Sequence, residues 1–110
     1  QKGYQIMQVR NMKSSKGNTI ANQFVIDDDN GNTYFQSYNS IIAKVNFDGI
    51  FLDKTYWNYS VTTSKYLNKF LSLSSKEVKN KIKCNLFKLE NLNEGVSYDR
   101  LQEDRNSWRS

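Results

Sequence analysis

The 110-residue sequence contains no histidine, no proline and a single cysteine, Cys84. The missing histidine removes the commonest general base and the commonest metal ligand, so we expect a non-enzymatic protein without a metal ion or other cofactor. A lone cysteine excludes an intrachain disulfide and a cysteine-rich metal site, and it favours a reducing compartment. Cys84 has neighbouring lysines but no histidine to activate it, which argues against a catalytic thiol.

Long apolar runs are also missing. No stretch approaches the roughly 20 apolar residues of a membrane-spanning helix, and residues 1–26 contain no apolar run of the signal-peptide type. We therefore expect a soluble, intracellular protein with no membrane contact. Seven tyrosines, six phenylalanines and two tryptophans supply enough apolar surface for one packed core in a chain of this length.

Charge is distributed unevenly along the chain. Residues 1–26 carry a net charge of +4, and residues 27–53 carry −4. Residues 54–88 contain eight lysines and one glutamate, for a net charge of +7, whereas residues 89–110 carry −2. A short block with this excess of positive charge is typical of a surface that binds a polyanion.

Alternating apolar and polar residues predict strands in the N-terminal half. The predicted strands are residues 4–10, 19–27, 33–38, 41–45, 49–52 and 55–60, with a polar loop over residues 11–18. Asn30 and Gly31 separate the second and third strands and are typical of a type I′ hairpin turn. The aspartates before this turn do not match a calcium-binding EF-hand loop, because Ile26 occupies the position of its first ligand.

The periodicity becomes helical at Thr63. Four apolar residues then recur on one face and are predicted to point inwards: Tyr66, Leu67, Phe70 and Leu71. Thr62 or Thr63 is the predicted N-cap of this helix. Residues 74–77 (SSKE) have the spacing of a capping box and predict the start of a second helix, and residues 86–89 predict a returning strand.

These elements define the expected architecture. The fold class is α+β, with an N-terminal antiparallel meander of five to six strands and two short C-terminal helices packed on the sheet. Residues 1–93 are predicted to form this single domain. Residues 94–110 are predicted to form a tail that is either flexible or binds a partner.

The positively charged block also contains aromatic side chains, and together they predict a nucleic-acid-binding surface. Lysines neutralise phosphates, and flat aromatic faces stack on bases. The predicted binding residues are Trp57, Tyr59, Lys65, Lys69, Lys76 and Lys79. Each has a structural alternative, because lysines are ordinary on exposed helix faces and aromatic residues fill cores.

A second prediction concerns protein binding. The tail contains Tyr98, Leu101 and Trp108 among three arginines, a composition typical of interface hot spots. The alternative for these residues is a flexible terminus without a partner.

Three segments resemble a small domain of unknown function that bacteriophages encode. They are residues 34–43 (YFQSYNSIIA), residues 49–52 (GIFL) and residues 57–71 (WNYSVTTSKYLNKFL). The family pattern is an aromatic-x-Ser-Tyr segment leading to Ile-Ala, a strand, and then Trp-x-Tyr-Ser-x-Thr-Thr-x-Lys-Tyr followed by Phe-Leu.

This resemblance covers about residues 33–92. It implies a viral or mobile-element origin and a location in the host bacterial cytoplasm, but it supplies no activity and no functional residue. Because phages encode many small proteins that act against their hosts, it favours an alternative function. That alternative is an inhibitor that binds a bacterial defence protein or another host factor, with a virion component as a further possibility.

Overall fold

The computed structural model describes residues 8–93, which form a six-stranded sheet and two helices. In chain order the elements are β1 (Gln8–Lys13), β2 (Thr19–Asp27), β3 (Thr33–Ser37), β4 (Ser40–Asn46), β5 (Gly49–Asp53), α1 (Val61–Leu71), α2 (Ser75–Lys83) and β6 (Phe87–Glu90). The strands lie side by side in sequence order. Each of the first four pairs is antiparallel, and β6 is parallel to β5. The predicted α+β class is therefore confirmed.

The core lies between one face of the sheet and the two helices. Phe35, Ala43 and Leu52 are completely buried on this face, and Leu67 of α1 and Val78 of α2 cover them. As predicted, Tyr66, Phe70 and Leu71 also pack against this core. A register shift between β3 and β4 leaves Ile42 as an extra residue, so that Ile42 and Ala43 are both buried although they are adjacent in sequence.

The β2–β3 hairpin is confirmed, but its predicted turn type is wrong. A type I′ turn needs positive φ angles at both central residues, and of Asn30 and Gly31 only Gly31 has one, at 88°. The loop has five residues because Asp28 organises it. The Asp28 carboxyl group accepts hydrogen bonds from the backbone N–H groups of Asn30 and Asn32.

Two predicted strand ranges also need correction. The described part of the first strand is Gln8–Lys13, so the strand ends later than the predicted residue 10, and the predicted residues 4–7 lie outside the described residues. Residues 55–60 form turns rather than a strand. The N–H groups of the first three residues are already used, since those of Thr55 and Tyr56 donate to the Asp53 carboxyl group and that of Trp57 donates to the Asp53 carbonyl.

The helix starts are governed by serines. Ser60, rather than Thr62 or Thr63, is the N-cap of α1, and its hydroxyl accepts a hydrogen bond from the Thr63 N–H. The capping box of α2 is confirmed, because Ser74 and Glu77 exchange hydrogen bonds. The hydrogen bond from the Ser74 backbone lowers the pKa of Glu77 below its ordinary value.

Candidate nucleic-acid interface

An open groove of about 650 Å³ lies where the turn before α1 meets the two helices. We call it the aromatic groove. The turn and the first two helical turns of α1 form one wall, and α2 forms the other. The lining residues are Trp57, Asn58, Tyr59, Ser60, Val61, Ser64, Lys65, Leu67, Asn68, Ser75 and Lys79.

Asp53 holds the turn that carries the aromatic residues of this groove. It lies at the end of β5 and is only 1% exposed. One carboxyl oxygen accepts the N–H groups of Thr55 and Tyr56, at 3.0 and 2.9 Å. The other accepts the backbone N–H of Leu92 and the side-chain amide of Asn93, at 2.8 and 3.0 Å. The turn is therefore joined to the segment that follows β6.

The two aromatic residues of the groove differ in how much surface they offer. Trp57 is half-buried and packs against the hydrophobic core. Tyr59 is 52% exposed, and its ring meets the edge of Tyr56 with ring centres 5.3 Å apart. This edge-to-face contact supports the Tyr59 ring and leaves about half of the side chain free to meet a ligand.

The electrostatics of the groove are positive. Its lining includes Lys65 and Lys79 but, among the described residues, neither aspartate nor glutamate. The Lys65 ammonium group lies 5.1 Å from the centre of the Tyr66 ring, which holds it on the outer side of α1. The groove also includes the N-terminal end of α1, where the helix dipole is positive and the first turn contains no acid.

Polar side chains connect the two helical walls. The Asn68 amide donates a 2.8 Å hydrogen bond to the Ser75 hydroxyl, which links α1 to the first turn of α2. Ser64 lies on the same wall as Asn68. Amide and hydroxyl groups of this kind donate to phosphate and sugar oxygens, so the groove combines three features that nucleic acids require: cations, neutral donors and an exposed aromatic face.

The structure brings four of the six predicted nucleic-acid residues together and separates the other two. Trp57, Tyr59, Lys65 and Lys79 line the aromatic groove. The remaining two do not line it. Lys69 borders a second groove beside β1, and Lys76 lines a shallow depression that also includes Lys79, Asn80 and Lys83. The block with a charge of +7 is thus divided among several surfaces.

Sequence reasoning missed some of the lining residues and predicted others that the structure does not describe. Asn58, Asn68 and Ser75 line the groove without a distinctive motif, although Asn68 follows Lys65 by three residues and so lies near it on a helix. Tyr98, Leu101 and Trp108, the predicted partner-binding residues, lie outside the described residues.

Neither a metal site nor a membrane span is found in the described part of the chain. Residues 8–93 contain no group of three or more aspartate, glutamate, cysteine or histidine side chains placed to hold a metal ion. None of the helices in this region has the length and apolar character required to cross a membrane.

The fold and the groove define a small α+β domain with a largely antiparallel sheet and an open, positively charged groove on its helical side. The chain belongs to the family of unknown function DUF8033, which matches residues 7–85. No curated protein and no solved structure matches the chain. This match confirms the predicted resemblance to a domain of unknown function. The family match begins well before residue 33, where the resemblance was predicted to start, and ends before residue 92.

Proposed function

We propose that this protein binds nucleic acid through the aromatic groove and catalyses no reaction on it. The observation that carries the proposal is that Tyr59, Lys65 and Lys79 line the same groove. Among the described residues, neither aspartate nor glutamate lines it. Cations supply the sequence-independent part of nucleic-acid affinity, and an exposed ring adds base stacking. Neutral donors such as Asn68 and Ser75 supply hydrogen bonds to the backbone.

A single strand suits this groove better than a duplex. An aromatic side chain stacks on a base only when the face of that base is free, as it is in an unpaired strand. Tyr59 offers such a ring, and the lysines stand on both helical walls, where they meet the backbone on either side of the stacked base.

The decisive measurement is fluorescence anisotropy at low salt with labelled single-stranded DNA, single-stranded RNA and duplex DNA. Tyr59→Ala removes the stacking ring, so we expect affinity for a single strand to fall by about 1–3 kcal/mol, or roughly 5- to 150-fold. Tyr59→Phe keeps the ring and should bind nearly as well as the unchanged protein.

Phe47→Ala is the matched control for this measurement. Phe47 is 96% exposed at the tip of the β4–β5 hairpin and does not line the aromatic groove. Removing it deletes an even more exposed aromatic ring elsewhere and should leave affinity unchanged. The proposal fails if none of the three nucleic acids binds at low salt, or if Tyr59→Ala and Phe47→Ala weaken binding equally.

The alternative function is binding to a bacterial defence protein or another host factor, or to other virion proteins. The observation that favours it is the exposure of apolar side chains on the surface, namely Phe47 and Val61. This alternative predicts a stable complex in a pulldown from host lysate after nuclease treatment. We propose the same setting for both functions, the cytoplasm of a phage-infected bacterium, on the basis of the sequence resemblance.

A further inference from the structure

We infer that the bound single strand continues from the aromatic groove across the outer side of α1 into a second groove beside β1. This inference rests on the proposed function and extends it to a surface that the sequence did not predict. The second groove has a volume of about 590 Å³. We call it the β1 groove, and it lies between the first two strands and the C-terminal half of α1.

The β1 groove has positive walls and an apolar floor. Arg10 and Lys13 come from β1, and Lys69 comes from α1. The floor contains Met12 and Phe70, both of which belong to or pack against the core. A cleft of this composition is complementary to a strand whose phosphates meet the cations while bases or sugars contact the apolar floor.

The outer side of α1 connects the two grooves. Lys65 lines the aromatic groove and Lys69 lines the β1 groove, one helical turn further along. Both are exposed, and residues four apart on a helix lie on the same side, about 6 Å apart along the axis. A strand that leaves Lys65 therefore meets Lys69 next. Among the described residues, no aspartate or glutamate lines either groove.

The cations of the β1 groove are not equally available. The Arg10 guanidinium lies 2.6 Å from an oxygen of Asp27, and its hydrogen bond lowers the pKa of that carboxyl group, so the acid stays ionised and neutralises Arg10. The Lys13 ammonium group instead donates to the neutral Thr19 hydroxyl at 3.3 Å. Lys13 and Lys69 thus carry the charge that meets the additional phosphates.

Oligonucleotide length separates this inference from the proposed function. A strand of about 4 nucleotides fills the aromatic groove alone, whereas one of about 12 reaches the β1 groove, within the range of site sizes of small single-strand-binding domains. We expect the double variant Lys13→Ala/Lys69→Ala to bind the short strand like the unchanged protein. On the long strand we expect the log–log salt dependence of its affinity to fall by about 1.4, that is, about 0.7 per lost phosphate contact.

The matched control is Lys54→Ala/Lys88→Ala, which removes the same charge from two exposed lysines that line neither groove. It should keep the salt dependence of the unchanged protein on both strands. A long strand can bind in more positions than a short one, which raises its apparent affinity. This increase is the same for all variants and does not affect their comparison. Circular dichroism verifies that each variant is folded before binding is measured.

Two outcomes overturn the inference while leaving the proposed function intact. One is a double variant that keeps the full affinity and salt dependence on the long strand. The other is that the affinity of the unchanged protein increases from the short to the long strand by no more than the affinity of Lys13→Ala/Lys69→Ala does. If the unchanged protein binds neither the short nor the long strand, the proposed function itself fails.

Discussion

Asp28 follows the last residue of β2, and Asp53 is the last residue of β5. Both accept similar local hydrogen bonds, yet they have different roles. The Asp28 carboxyl group accepts the backbone N–H groups of Asn30 and Asn32 in a surface hairpin. The Asp53 carboxyl group accepts those of Thr55 and Tyr56 and, in addition, two groups from residues about 40 positions later in the chain. The first aspartate shapes a turn, whereas the second joins a turn to a distant segment.

Burial explains why this difference matters for stability. Water can replace a hydrogen bond that is lost in an exposed turn, so little free energy depends on Asp28. Asp53 is almost completely buried, and the four N–H groups that donate to it are partly or fully buried, so water reaches them less easily if they lose their acceptor. Two side chains of the same type are thus expected to differ severalfold in their contribution to the free energy of unfolding.

The largest effect is expected for Asp53→Asn. An asparagine has one acceptor oxygen, so whichever way its amide is turned, it satisfies either the turn before α1 or the segment after β6, but not both. Two donors that are at least partly buried then lack an acceptor, which should lower the free energy of unfolding by roughly 2–4 kcal/mol. Urea denaturation followed by circular dichroism measures this loss. A loss below about 1 kcal/mol would show that the buried network relaxes easily. Asp53 would then not differ from Asp28 in its contribution to stability.

A smaller effect is expected for Asn93→Ala. The Asn93 amide accepts the Ile41 N–H at 2.8 Å and donates to the Ile41 carbonyl at 3.0 Å, in addition to its contact with Asp53. Its removal leaves one partly buried backbone donor without an acceptor and should cost about 2 kcal/mol. In the double variant with Asp53→Asn the two losses should not add, because the residues share one hydrogen bond. Full additivity, measured by the same denaturation curves, would contradict a shared network.

The smallest effect is expected for Asp28→Asn. The new side chain keeps an oxygen for the Asn30 and Asn32 N–H groups and loses chiefly the contact with the Asn32 side-chain amide, at a cost of about 0.5 kcal/mol near neutral pH. Burial alone would raise the pKa of Asp28, but hydrogen bonds from Asn32 and Asn30 outweigh it, and the pKa lies below the ordinary 3.8.

A lowered pKa fixes the sign of the pH dependence at Asp28. The contribution of the ionised carboxylate is complete above pH 3.8 and is lost as the pH falls through the lower pKa of the folded state. The stability difference between the unchanged protein and Asp28→Asn should therefore shrink on acidification. Denaturation curves at neutral pH and in acid measure it, and a difference that grows in acid would contradict the hydrogen-bonding assignment.

The sequence predicted those parts of the fold that depend on neighbouring residues. The capping box at Ser74 and Glu77 and the inward face of α1 are local patterns, and both are confirmed. The strand predicted over residues 55–60 was wrong because strand propensity was outweighed by another local interaction. Its residues have high strand propensity, but the Asp53 side chain and carbonyl take up the first N–H groups after β5 and bend the chain into turns.

The candidate site was predictable only in part. The concentration of lysines between residues 54 and 88 indicated a positive region, but α1 and α2 distribute their lysines over different sides. The approach of Lys69 to Lys13 joins residues 56 positions apart. This approach depends on how α1 lies across the sheet, which no periodicity or motif in the sequence predicts.

The parallel pairing of β6 with β5 has a kinetic consequence. Strands β1 to β5 pair with their neighbours in sequence, so each pairing closes a short loop. The contact between Asp53 and Asn93 instead spans 40 residues, and its loop entropy must be overcome before the contact contributes stability. We expect this contact to form late in folding and to restrain chiefly the rate of unfolding. The link between the turn that carries Trp57 and Tyr59 and the segment after β6 then lasts only while β6 stays paired, so a strand that does not line the aromatic groove helps to hold one of its walls.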